Sequence, residues 1–301
     1  MSEIPSTLFT ETPHWRWLIV FYFFLGGIAG GAYVIAALID LFGPLRFRPL
    51  ARLGYLVAFP LVVICGFLLT VDLGRPERFW HMLFASETLR PIIKWWSPMS
   101  VGAWALLVFG FFSLLSFLAV LTEDGRLRRW PALARLRPAG ILGTIVVILG
   151  GLLGLFIAGY TGVLLAVTNR PIWADTHLLG LLFVISGAST AAALLMLLAR
   201  RRPVVDAEGL HSLERFDSSM LVLELLALLA LIISLGGMAR LWLNAWGVLL
   251  FLGVVVLGII VPLLLYRRPR AGGLATAGAA VLVLLGGFLL RVVIILSTER
   301  V

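Results

Sequence analysis

A chain of 301 residues that is 61% hydrophobic and only 13% charged is not a soluble globular domain, because such domains carry about 25% charged residues. Its net charge of +9 does not mark a nucleic-acid binder either. The arginines sit in short loops between apolar runs, where they determine topology. The single cysteine, Cys65, lies inside an apolar run and has no intrachain partner. One thiolate does not hold an iron–sulfur cluster, and no Cys-x-x-Cys-His haem-attachment motif occurs.

The N-terminal region lacks a basic stretch followed by a short apolar core and a cleavage site, so the first apolar run is expected to be retained as a span. Eight runs of spanning length follow in order, at about 17–40, 53–71, 99–121, 139–167, 177–199, 218–239, 245–266 and 273–296. Each holds the roughly 20 residues that a helix needs to cross the hydrocarbon. The runs are continuous rather than alternating, which predicts helices and not a barrel. The expected fold is an all-α integral membrane protein of eight transmembrane helices. It forms one membrane domain, divided into a four-helix bundle over 14–170 and a second over 171–301.

Lysine and arginine counts orient the protein. The first, third, fifth and seventh connectors hold fifteen of them, from Arg46 to Arg270. The opposite side holds eight, and four of these (Arg75, Arg78, Arg90 and Lys94) fall in the one connector after the second run. The richer side is expected to be cytoplasmic. Both termini and the Asp72 connector then face outward, to the periplasm of a prokaryotic inner membrane.

The first run carries Gly26-Gly27-Ile28-Ala29-Gly30-Gly31, two interleaved Gly-x-x-x-Gly patterns, and Gly150 and Gly154 repeat the spacing in the fourth run. Such positions admit a second helix, or a flat ligand, close to the backbone. The second run closes on Asp72-Leu73-Gly74-Arg75-Pro76. A carboxylate costs roughly 2.5–3.5 kcal/mol at the bilayer centre and less toward the edge. Asp72 is therefore paired with Arg75 one turn away, at the water boundary, or functional.

The charge-based topology places His14, Asp72, Arg75, Trp80, His81, Tyr160, Trp173, His177 and Arg240 in the outward half or at its edge. A quinone head group suits such a set, being flat and apolar with two oxygens that need polar partners and a proton acceptor. A hydroxyl, an imidazole and a carboxylate are available in Tyr160, His14 and Asp72. Each also has a structural reading: an interfacial belt for His14, His81 and His177, and a backbone hydrogen bond for Tyr160. Glu224, inside the sixth run, is either part of a proton route with Asp72 or a neutral hydrogen-bonded acid. Arg291, near the outer end of the last run, is expected to snorkel. Asp40 and Asp217, at run ends, are expected to be solvated. None of the four histidines lies mid-span as a membrane haem would require, and no P-loop, zincin or Ser/His/Asp pattern appears.

In sequence the protein resembles the polysulfide-reductase membrane-subunit family, also called NrfD-like. The resemblance is carried by His14-Trp15, Phe24 to Tyr33, Asp72-Leu73-Gly74-Arg75-Pro76, Ser97-Pro98-Met99-Ser100-Val101-Gly102-Ala103 and Tyr160-Thr161-Gly162, in that order and spacing. It is strong over the first four helices. Over the last four it rests on helix count, length and spots such as Glu224 and Gly236-Gly237. It implies a subunit that exchanges electrons between a membrane quinone, menaquinone or ubiquinone, and an iron–sulfur protein at the outward face. A molybdopterin or multihaem subunit completes the larger complexes, and the membrane subunit itself holds no haem or iron–sulfur cluster. By matching positions, His14 and Tyr160 are quinone-oxygen partners and Asp72 a proton-handling acid. Arg75 is structural or lines the site, and Gly30 lines it. The alternatives are a proton- or ion-translocating protein using Asp72, Glu224 and Arg291, and a passive anchor without a quinone site.

Overall fold

The computed structural model describes residues 15–85, 87–88, 90–126, 130, 137, 140–202, 205–267 and 273–300. Among them are eight helices long and apolar enough to cross a membrane. They are α1 (Trp17–Phe42), α2 (Arg48–Asp72), α3 (Pro98–Glu123), α4 (Ile141–Ala166), α5 (Leu179–Ala199), α6 (Ala207–Leu235), α7 (Ala245–Tyr266) and α8 (Gly273–Leu296). The only pairing of extended backbone among the described residues is an isolated bridge between Phe84 and Pro91. His14 lies outside the described residues.

The helices follow the apolar runs closely except at α6, which begins eleven residues before its run. Asp206 caps that start, its side chain accepting from the Gly209 amide at 2.9 Å. This satisfies one of the donors that a helix leaves free at its N-terminus. The first turns of α6 carry Glu208, His211, Glu214 and Arg215, so they are helical without being apolar. Hydropathy reports contact with lipid, not helicity. At the other end Gly236 adopts φ +51°, and the backbone continues as a 3₁₀ turn over Gly236–Trp242. α7 is wound as a π-helix over Leu249–Ile260, a form that elsewhere occurs mostly as single turns.

Buried small residues set the packing, as expected where lipid removes any hydrophobic drive between helices. α1 is the central element and packs on α2, α4, α5 and α8. A Cβ on Gly30 would strike the Gly154 carbonyl of α4, and one on Gly31 the Gly187 carbonyl of α5. The glycine patterns therefore bring α1 into backbone contact with two helices on different sides. Tyr33 adds a polar tie, its hydroxyl 2.7 Å from Ser116 Oγ of α3 and 3.4 Å from the Val146 carbonyl of α4.

Three charged residues depart from expectation. Asp40 is not solvated: its carboxylate is paired with Arg137 at 2.9 Å, and both side chains are buried. Asp217 is fully buried and accepts hydrogen bonds from Ser189 (2.6 Å) and Tyr266 (2.8 Å). Arg291 does not snorkel. It is fully buried and donates to Ser186 Oγ at 2.6 Å and to the Gly287 carbonyl at 2.8 Å. In each case a partner lies on a distant segment, and burying a charge requires such a partner.

Candidate functional site

A cavity of about 800 Å³ opens among the ends of the first four helices on the Asp72 side. α1 contributes Ile19 and Phe23, with Trp15 just before it. α2 contributes Phe59, Val62, Leu69, Thr70 and Asp72. The connector after α2 lays Phe79, Met82 and Leu83 against it, and α3 adds Met99, Ala103, Leu106 and Phe111. α4 closes the wall with Tyr160 and Leu164. The lining is overwhelmingly apolar. Among the described residues its polar side chains are Asp72, which is its one charged group, the Tyr160 hydroxyl, Thr70 and the Trp15 indole. An apolar cleft of this size with a few converging polar groups is the ordinary form of a small-molecule site.

Tyr160 is fixed from two sides. Its hydroxyl donates to the Pro98 carbonyl at 2.7 Å, at the start of α3. Its ring lies where a Cβ on Gly102 would be, one turn further along α3. The Pro98–Gly102 segment of the resemblance motif is thus a cradle for the α4 tyrosine. Because its proton is committed to Pro98, the phenol oxygen has only lone pairs to offer a ligand. Ring stacking on Phe156 at 5.6 Å holds the plane.

The cradle makes a stability prediction with a reversed sign. Alanine normally stabilises a helix relative to glycine by about 0.8–1.0 kcal/mol. Gly278 in α8 has open space around it, and Gly278→Ala should follow that rule. Gly102→Ala must displace the tyrosine ring, and overpacking of this kind costs about 1–3 kcal/mol. Thermal unfolding of the two variants in one detergent should show shifts of opposite direction.

The outward polar set divides under the structure. Asp72 and Tyr160 reach the same cavity, joined there by Trp15, the neighbour of His14. Trp173 does not line the cavity but backs Trp15, which does. It is fully buried, stacks on Trp15 with centroids 5.3 Å apart, and donates its indole N–H to the Ile294 carbonyl at 2.7 Å. The preceding Ile172 holds φ at 71°, a costly value for a β-branched residue. Its amide donates to Asp175 Oδ2 at 2.9 Å, which helps to secure that turn. Arg75 is exposed and forms no ion pair with Asp72 among the described residues. Trp80 and His81 stack on each other at 3.8 Å beside the cavity, whose wall is formed by their neighbours Phe79 and Met82. His177 and Arg240 are exposed and do not line the cavity. Gly30 faces the α4 backbone instead of the cavity.

Asp72 and Glu224 are not brought together. Glu224 is buried on α6 beside Ser186 and Arg291, whose guanidinium lies over Phe183 and beside Gly27. α1 stands between that group and the cavity. Among the described residues no group of three or more His, Cys, Asp or Glu side chains is placed to hold a metal ion.

Eight apolar helices, the first four of which line an apolar cleft, define a multi-pass membrane protein. The protein belongs to the family described as polysulphide reductase, NrfD, whose match covers residues 7–300. It is 29% identical to "Protein NrfD" of Escherichia coli (strain K12), with 98% of both proteins covered. It is likewise 29% identical to one chain of the polysulfide reductase of Wolinella succinogenes, over 85% of the present sequence and 83% of the relative. A shorter match, 26% identical over 35% of the present sequence and 22% of the relative, is to a subunit of the selenate reductase of Mesobacillus selenatarsenatis. Helices and family together place the protein in the prokaryotic inner membrane as a multi-pass subunit of the kind found in reductase complexes.

Proposed function

We propose that the cavity binds a membrane quinol and that the protein is the quinone-reactive membrane subunit of a respiratory oxidoreductase. The observation that carries this reading is the shared cavity of Asp72 and Tyr160, walled by apolar side chains down to Phe59 and Leu114. A flat ring at the polar end and an isoprenoid tail along the apolar wall fit that shape. All of its lining falls within residues 14–170, in keeping with a first four-helix bundle that holds the site and a second over 171–301.

A bound quinol supplies two electrons and two protons. The protein's part is to hold the ring, exclude water and accept protons. The Tyr160 oxygen, with its own proton on Pro98, accepts a hydrogen bond from a hydroxyl; donating to a quinone carbonyl would break the Pro98 bond. Asp72, at the end of α2, accepts a proton and stands close enough to the helix end to pass it to water. This acceptor character favours quinol oxidation as the working direction. His14 is the proposed partner of the second oxygen, next in sequence to Trp15 in the cavity wall.

Electrons would leave through the connector side, which the arginine count makes outward, to an iron–sulfur protein. Relatives that are components of polysulfide and selenate reductases support such a partner. A molybdopterin or multihaem subunit would then complete the complex. The rival readings are a passive anchor, and a translocator in which the cavity has no redox ligand. Tyr160→Phe separates them. Losing one neutral hydrogen bond worth about 0.5–1.5 kcal/mol should weaken binding of a quinol analogue by roughly two- to tenfold. Unchanged binding, or no binding to the unaltered protein, would reject the quinol site.

A further inference from the structure

Among the described residues, four polar side chains line the cavity, and three of them have no proton free to offer a ligand. Tyr160 gives its hydroxyl proton to the Pro98 carbonyl, and Thr70 gives its own to the Gly66 carbonyl at 2.8 Å. Asp72 donates only after it has itself been protonated. The fourth is Trp15, whose indole N–H is a donor and nothing else. That N–H has no hydrogen-bond partner among the described residues. The N–H groups of Trp173 and Trp242 are taken, by the Ile294 carbonyl at 2.7 Å and by Ser297 Oγ at 3.0 Å. A buried indole N–H usually finds an acceptor. Trp15 is only 8% exposed and lines the cavity, so the acceptor it lacks is one the cavity would hold.

Trp15 lies outside α1, just before the N-cap Arg16, so packing rather than the helix sets its ring. Trp173 stacks on it with planes 24° apart, and Phe23 meets it edge-on at 5.9 Å. Trp173 is tied in turn to the second half of the protein. Its partner Ile294 is in the last turn of α8, where helix carbonyls run short of intrahelical donors. Arg170, whose guanidinium lies over the Trp173 ring at 5.7 Å, donates to the Thr298 carbonyl at 2.8 Å. The turn carrying both residues includes Ile172 at φ 71°. Backbone of this kind persists only where its surroundings over-determine it, and it clusters at ligand sites.

We propose that the Trp15 indole N–H is the donor to a carbonyl oxygen of the oxidised quinone, and that Trp173 is the positioning residue that aims it. This rests on the quinol reading and adds the contact to the product of that reaction. Tyr160 accepts from the hydroxyl of the quinol, and that bond is lost when the hydroxyl becomes a carbonyl. Trp15 gains a stronger acceptor in the same change, because a carbonyl oxygen accepts better than an aryl hydroxyl. The two residues therefore favour opposite redox forms of one ring.

Binding of a decyl-substituted quinone, oxidised or reduced, to the full-length protein in lipid nanodiscs tests this. Trp15→Phe keeps an aromatic ring and removes the N–H. It should weaken binding of the oxidised form by about two- to tenfold, the scale of one neutral hydrogen bond, and of the reduced form by less than about twofold. Tyr160→Phe should do the reverse. Trp173→Leu should match Trp15→Phe, and the two together should cost no more than Trp15→Phe alone, since residues acting through one contact are not additive. Trp173→Phe should restore much of the loss. In proton–nitrogen correlation spectra, the indole peak missing from Trp15→Phe should move downfield when oxidised quinone is added to the unaltered protein. The proposal is overturned if that peak stays in place, if Trp15→Phe binds the oxidised form normally, or if it weakens both forms equally. Should Tyr160→Phe still weaken the reduced form in those cases, the quinol site stands without this donor; no binding by the unaltered protein ends both. If Trp173→Leu fails to fold, Trp15→Phe and the indole peak decide alone.

Discussion

Replacing Asp72 with asparagine should lower quinol-dependent electron transfer by about 10²–10⁴-fold, the usual consequence of removing a positioned general base. The amide is nearly isosteric with the carboxylate and leaves the apolar wall intact, so quinol-analogue affinity should change by less than about threefold, within one neutral hydrogen bond. Asp72 is the one carboxylate in the cavity lining among the described residues, and no other side chain there is suited to take a proton in its place. This contrast with Tyr160→Phe, where affinity falls and turnover follows modestly, separates a proton acceptor from a positioning hydroxyl. The measurement is steady-state quinol oxidation by the assembled complex beside analogue binding to the purified subunit. A loss of turnover under about tenfold would move the acceptor elsewhere, with His14 the first candidate.

The spans and the shared cavity were legible in the sequence for a simple reason. Lipid contact demands unbroken apolar runs, and the alternation of successive spans puts Asp72 and Tyr160, toward the ends of the second and the fourth, on the same side. The start of α6 was not legible, because a helix that projects beyond lipid carries Glu208, His211 and Arg215 like any polar segment. Nor were the fates of Asp40, Asp217 and Arg291. Their partners lie 97, 28 and 105 residues away, and hydropathy carries no information about which distant side chain neutralises a charge. The apolar walls of the cavity were hidden for the opposite reason: Phe59 or Leu106 looks like every other apolar residue in a span. The Ser97–Ala103 motif was visible as a motif, but its role as the seat of Tyr160 needed the crossing of α3 and α4.

Breaking the Asp40–Arg137 pair should give the largest loss of stability of any single change at the arginine-rich end. Among the described residues, Asp40→Asn leaves the guanidinium buried with Glu123 at 3.5 Å and the Tyr55 ring at 5.0 Å. Removing one partner of a buried pair costs about 3–5 kcal/mol, because the other charge remains without compensation. Replacing both, Asp40→Leu with Arg137→Met, should recover most of that loss, since well-packed apolar groups often match a buried pair. The exposed pair Arg46–Glu208, with each side chain more than half accessible, is the control; its removal should change stability by about 1 kcal/mol or less. Thermal unfolding followed by circular dichroism in one detergent ranks the four proteins. Because Arg137 belongs to the connector between α3 and α4, its anchor holds the ends of α1, α3 and α4 opposite to the cavity. Any Asp40→Asn protein that remains folded should therefore bind the quinol analogue as the unaltered protein does. A stability loss no greater than that of Arg46→Ala would show that the pair is solvated after all.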